Sequence, residues 1–207
     1  MTASGRRNPA GRPLRRDAQR NRERILAAAR QLFAERGTDA SLDDVAARAG
    51  VGVGTVYRRY HSKSALIEEL IEERIDELVA LAETSLFDAD PWQAFVSFLE
   101  RVMEIFAADR TLAHLVARSD RARQGIAVAR ARLEAPVAAL VARAKADGRL
   151  RPDFADADVA MVHAMLAAVV AETPATAPDL WRRYLVMLVD GLVTARSAPS
   201  VLPVPET

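Results

Sequence analysis

Between residues 51 and 66 the chain reads VGVGTVYRRYHSKSAL, setting Gly52 and Gly54 beside Thr55, Tyr57, Arg58, Arg59 and Lys63. So much polarity and so little bulk in one short segment suits a surface laid against a polyanion. Glycines at the start of a helix let the backbone come close to phosphates or base edges. Tyr57, Arg58 and Arg59 can donate to phosphate oxygens, and an arginine can also read guanine in bidentate fashion. Thr55 suits a phosphate or a thymine methyl, and Lys63 a phosphate on the flanking strand. Val53 fits either a buried staple or a thymine-methyl contact, and Tyr60 is expected in the core. Any one of the arginines alone reads equally as solvated surface, so the case rests on the cluster.

The elements that must hold this segment are helical. A first helix over about 19–36 places Ile25, Ala28, Ala29, Leu32 and Phe33 on one face, and Gly37 stops it. Ser41 then opens SLDDVAARAG, where the spacing from Ser41 to Asp44 is that of a capping box. Leu42, Val45 and Ala46 face inward, and Gly50 ends that helix. After AGVGVG comes a third helix over about 52–58, burying Val56. Two short helices joined by small residues make a helix-turn-helix, whose second helix can enter a major groove. Ser62 caps a longer fourth helix with an apolar stripe of Leu66, Ile67, Leu70, Ile71, Ile75, Leu78, Val79 and Ala82.

The string ILAAARQLFAERGTDASLDDVAARAGVGVGTVYRRYHSKSALIEEL resembles the DNA-binding domain of the TetR family of bacterial transcriptional regulators over about 45 continuous residues. GTVYRRYHSKSAL is similar to the family's usual GTLYRYFPSKEAL. The resemblance implies that Thr55, Tyr57, Arg59 and Lys63 stand at positions that contact DNA, Tyr57 and Lys63 as phosphate contacts. Arg48, late in the second helix, stands where a backbone contact or a plain surface role is equally open. His61 replaces a common Pro or Lys, which leaves one backbone contact open, and Tyr60 replaces Phe. The expected DNA-binding set is therefore Ser41, Arg48, Gly52, Val53, Gly54, Thr55, Tyr57, Arg58, Arg59 and Lys63.

Charge is divided unevenly. Residues 1–63 hold 14 Lys/Arg and 6 Asp/Glu, whereas the remainder holds 15 and 22. A basic front and an acidic body suggest that only the front meets a polyanion. Residues 1–18, rich in Arg, Pro and Gly, read as a disordered arm, and Arg6, Arg7, Arg12, Arg15 and Arg16 can reach a minor groove from it. The expected organisation is this arm, a DNA-binding domain over 19–64, a helical ligand-binding and dimerisation domain over 65–198, and a flexible tail over 199–207. Alanine, arginine, leucine and glutamate dominate and no stretch alternates with period two, so the fold class is all-α. There is no cysteine, and the longest apolar run, VAMVHAMLAAVVA at 159–171, is too short to span a membrane. A cytoplasmic protein is expected. No phosphate loop, nucleophile elbow or metal-ligand spacing is present, so no enzyme, cofactor or metal is expected.

In the body, Asp90 and Pro91 open a helix over about 91–108. Further helices are expected at 110–118, 121–147, 156–172 and 179–196, with a kink or break at Pro136. DPWQAFVSFLERVMEIFAADR, DGRLRPD and LWRRYLVMLVDGL resemble the SbtR-like C-terminal domains of one subgroup of the family. That resemblance implies a homodimer and a small-molecule effector. The last two helices, alanine-dense and then rich in large apolar residues, are the expected dimer surface, pairing into a four-helix bundle. Pocket candidates are Phe95, Phe98, Leu99, Met103 and Phe106, with His114, Arg118, Met161, His163 and Met165 as polar or soft groups. A lone histidine on an apolar helix reads more readily as core than as a ligand group. This mostly apolar set suggests a hydrophobic or aromatic effector, and the fourth helix, shared by both halves, is the expected route of the switch.

Overall fold

The computed structural model describes residues 11–108, 120–173 and 177–194, with side chains described over 16–37, 39–108, 131–173 and 177–194. Those residues form eight α-helices and no strand. The helices are α1 (Gly11–Arg36), α2 (Leu42–Ala49), α3 (Val53–Arg59), α4 (Lys63–Ser85), α5 (Pro91–Ala108), α6 (Asp120–Ala146), α7 (Asp158–Glu172) and α8 (Leu180–Leu192), with one 3-10 turn over Gly37–Asp39. They fall into two compact units, Met1–Leu70 and Ile71–Thr207. The division lies inside α4, a few residues past the expected 64/65 boundary. Among the described residues no helix is long and apolar enough to cross a membrane.

In the first unit, Ile25, Leu26, Ala28, Ala29, Leu32 and Phe33 of α1 are buried with Leu42, Val45, Ala46 and Ala49 of α2. Val56 and Tyr60 add to that core, as do Leu66, Ile67 and Leu70. The capping box is present: Asp44 N–H donates to Ser41 Oγ at 3.1 Å, and Ser41 N–H donates to the Asp44 carboxylate at 2.9 Å. Two orphan backbone donors are satisfied at once, which is why so short a helix holds its start. Gly50 closes α2 at φ 61°, a left-handed conformation that a side chain would strain. Its carbonyl also accepts from Arg24 Nη2 at 3.1 Å, so α1 clasps the turn that leads into α3.

α1 begins at Gly11, so the expected disordered arm is corrected over residues 11–18. Leu14, Arg15, Arg16, Ala18 and Gln19 are good helix formers, and Pro13 sits in the first turn, where its missing N–H costs nothing. Residues 1–10, with Arg6 and Arg7, lie outside the described residues.

In the second unit, α5 presents Ala94, Phe95, Phe98, Leu99, Val102 and Met103 to α6, α7 and α8. They meet Leu140, Val141, Ala144, Val159, Val162, Leu166, Trp181 and Leu185 in one core. Asp90 caps α5 as expected, its Oδ1 accepting from Trp92 and Gln93 N–H, both at 3.0 Å. α6 runs through Pro136 without a break, so of the expected kink or break the break is corrected. Proline forfeits one hydrogen bond there, but Leu140, Val141 and Ala144 downstream are buried and anchor the helix. α8 ends at Leu192, short of the expected 196, because the chain then turns to pair with the link after α6. Arg151 N–H donates to Leu192 O and Thr194 N–H to Arg149 O, each at 3.0 Å. The expected helix at 110–118 and the tail at 199–207 lie outside the described residues.

Candidate nucleic-acid interface

α3 turns one residue fully inward. Val56 is buried, and Tyr60, the residue that ends the helix, is buried beside it one turn later. The rest of the helix faces solvent. Val53 is 45% exposed and Tyr57 48%, with Gly52, Gly54, Arg58 and Arg59 exposed and Thr55 half-buried. Val53 is thereby settled as a surface residue, not a buried staple. This is the face a groove-reading helix needs: a narrow anchor toward the protein and an open polar front.

The charged groups around that front have partners within the protein. Arg58 Nη2 lies 3.3 Å from Thr55 Oγ1, one helical turn back. Lys63 Nζ donates to Ala40 O at 3.1 Å, which ties the start of α4 to the entry of α2. The charge of the neighbouring Asp43 carboxylate is the main cause pushing the Tyr57 phenol's pKa up, ahead of desolvation. The phenol therefore remains a neutral donor. Arg59 donates through Nε to Tyr60 Oη at 3.1 Å and through Nη2 to Glu69 at 3.2 Å. Sequence spacing showed none of these acidic neighbours, because Asp43 and Glu69 come from α2 and α4 and not from α3 itself.

Two expected members are more committed. Ser41 Oγ donates to Asp44 at 2.6 Å within the capping box, so its hydroxyl proton is already engaged. Arg48 makes a two-pronged bond to Glu35 on α1, at 2.9 and 2.8 Å, which fits its surface alternative.

Among the described residues the expected pocket set divides between a buried group and an exposed pair. Phe95, Phe98, Leu99 and Met103 are buried in the core under α5, and Phe106 is half-buried against it. Met161 and Met165 point the other way, 52% and 50% exposed, so they are corrected out of that cluster. α7 buries Val159, Val162 and Leu166 on one side and presents the two methionines on the other. His114 and Arg118 lie outside the described residues. His163 packs edge-on against Phe98 with ring centroids 6.0 Å apart, and burial pushes its pKa down to about 4.

A capped short helix, a glycine turn and an exposed polar helix define a DNA-binding protein of the helix-turn-helix class. Residues 25–70 match the family model of the bacterial regulatory proteins of the tetR family, and residues 90–194 match the SbtR-like C-terminal domain of transcriptional regulators. The chain belongs to the TetR family of transcriptional regulators, which are not enzymes. A TetR transcription regulatory protein from Mycobacterium vanbaalenii is 31% identical, with a TM-score of 0.67 over 88% of this chain and 100% of that one. A TetR transcriptional regulator from Streptomyces coelicolor is 27% identical, with a TM-score of 0.64 over 84% and 99%. An HTH-type transcriptional regulator from Staphylococcus aureus is 35% identical over 81 residues, 38% of this chain and 42% of that protein. That match therefore spans less than half the length of the curated relative.

Proposed function

We propose that the protein is a homodimeric repressor that binds a palindromic operator through α3 and is released by a small-molecule effector. The observation that carries this reading is the open face of α3, with Gly54, Tyr57, Arg58 and Arg59 exposed and Thr55 half-buried around a single buried valine. Tyr57 and Arg58 turn to phosphate oxygens or a base edge, Arg59 offers the part of its guanidinium that Glu69 and Tyr60 leave unbonded, and Lys63 reaches the flanking strand. Ser41 and Arg48 lie beside this face and contribute where the duplex displaces their carboxylate partners. The helix-turn-helix domain over 19–64 reads DNA, and the domain over 65–198 dimerises and binds the effector. The site of action is the cytoplasm.

The dimer surface of this reading is the outer face of α7 and α8. Met161, Ala164, Met165 and Ala168 recur at helical spacing on α7, exposed, and Leu180, Tyr184 and Met187 do the same on α8. Two such faces pair across a two-fold axis and present two copies of α3 to one palindrome, about 34 Å apart centre to centre. The effector is small and hydrophobic or aromatic, held near the aromatic residues of α5. It acts by binding more tightly to the state that does not fit DNA, since equal affinity for both states shifts nothing. α4 carries residues of both units and is the element such a ligand displaces.

The test is footprinting on the promoter region next to the protein's own gene, followed by titration at several salt concentrations. Four phosphate contacts per protomer give a log–log slope on the order of −7 for the dimer. A protected two-fold symmetric site with that steep dependence is expected. Uniform protection of any sequence, or a flat salt dependence, overturns the reading.

A further inference from the structure

One carboxylate gathers three helices of the N-terminal unit at the far end of α3. Glu69 on α4 accepts from Arg22 Nε on α1 and from Arg59 Nη2, the last residue of α3. It also accepts from the Tyr60 hydroxyl, which in turn accepts from Arg59 Nε. The Arg59 guanidinium lies 5.6 Å from the centroid of the Tyr60 ring, so it is gripped from two sides and backed by an aromatic ring. Burial alone pushes the Glu69 carboxyl up, but hydrogen bonds from Tyr60, Arg22 and Arg59 outweigh it and hold it below the usual range. It is a charged group at neutral pH. Only 20% of its side chain is exposed, against 41% for Arg59.

We propose that Glu69 is the positioning residue of Arg59 in DNA recognition. An arginine side chain in solution samples many rotamers, and ordering it on binding costs affinity. Glu69 and Tyr60 order it beforehand through Nε and Nη2, while 41% of the Arg59 side chain stays exposed. The same carboxylate offsets the charge of Arg59, which weakens its pull on phosphates at random sites. Glu69 thus favours the operator over other DNA in two ways: it fixes the direction of one contact and it reduces indiscriminate attraction. This rests on the reading of α3 as the recognition helix.

A purely structural role for Glu69 predicts something different, namely a weaker fold and equal losses on every duplex. The experiment is a double-mutant cycle on the full-length protein with two probes, the duplex recovered by footprinting and a scrambled duplex of the same composition. Glu69→Gln is expected to weaken operator binding about tenfold, the scale of one ordered charged contact, and to leave scrambled binding unchanged or tighter. In the Arg59→Ala background the same substitution is expected to change operator affinity less than about twofold, since its target is gone. An equal loss on both duplexes, an equal loss with and without Arg59, or no loss at all overturns the proposal. Should Glu69→Gln fail to fold, Tyr60→Phe removes the other grip on Arg59 and leaves the ring in place. It is expected to lower operator discrimination several-fold, and unchanged discrimination overturns the proposal. A wild-type protein that binds both duplexes alike overturns the reading of α3 itself, which failure of the cycle alone does not.

Discussion

α3 and α7 both turn a face to solvent, and they do so with opposite chemistry. α3 has one buried anchor and a front of glycine, hydroxyl and guanidinium groups. α7 is apolar on both sides, with Val159, Val162 and Leu166 inward and Met161, Ala164, Met165 and Ala168 outward. A polar front gains energy only where a charged partner replaces water in defined directions. An apolar front gains it by area, with little demand on direction. One surface is thereby suited to a charged partner met in defined directions and the other to a broad apolar one.

The largest expected effect breaks the apolar side of that contrast. Charges placed on α7 and α8 in a Met161→Glu/Met187→Glu variant should give a monomer by sedimentation, with each domain still helical. Losing the second, linked contact is expected to lower operator affinity by a factor on the order of 10² to 10⁴. A variant that stays dimeric with full operator affinity would remove that face as the partner surface.

The polar side breaks more gently. Tyr57→Phe combined with Lys63→Ala deletes two donors per protomer and is expected to weaken operator binding about 10- to 100-fold. The melting temperature should move little, because Tyr57 is exposed and Lys63 lies outside the buried core. Fluorescence anisotropy on the footprinted duplex reads the first effect and thermal denaturation the second. Unchanged affinity would withdraw both residues from the interface.

The same contrast explains what was legible beforehand. The α3 segment was readable because its candidate residues are contiguous and polar where a packed helix would be apolar. Ser41, Asp44, Gly50 and Val56 then took the roles their types dictate. Met161 and Met165 were misplaced for the opposite reason. On a helix that is apolar all round, period alone cannot say which face is the core. The grip of Glu69 on Arg59 was out of reach because it joins residues ten apart across a turn, and neither is unusual by type. Arg151 is a similar case: it is buried with its guanidinium forked onto Asp153 at 2.6 and 2.8 Å, inside a link that read as a plain helix stop.

His163 sharpens the comparison from inside the apolar unit. Its ring stays neutral in the fold, with a pKa pushed down by burial to about 4 against an ordinary 6.5. The unfolded chain takes up a proton as pH falls through the ordinary value, while the folded ring resists until about 4. Stability from this group is therefore complete above the unfolded value and is lost progressively toward acid, amounting to about 2 kcal/mol by pH 5. Urea denaturation of wild type and His163→Gln at pH 7.5 and pH 5 measures it. The variant should lose about 2 kcal/mol less over that interval, whereas equal losses would mean the ring is accessible to protons in the folded state.

The smallest effect is the most diagnostic for α3. Gly54 lies within the helix with φ outside the left-handed region, and a Cβ built there meets no atom within 4 Å. Nothing among the described residues requires a glycine at this point. Gly54→Ala should therefore stabilise the fold by about 0.5–1 kcal/mol, because alanine loses less backbone freedom on entering a helix. If the glycine is kept for close approach of a duplex, the same methyl group should weaken operator binding while the melting temperature rises. Opposite signs in the two measurements separate a residue held for its partner from one held for the fold, and a stabilised variant with unaltered affinity would show that DNA does not approach α3 at its first turn.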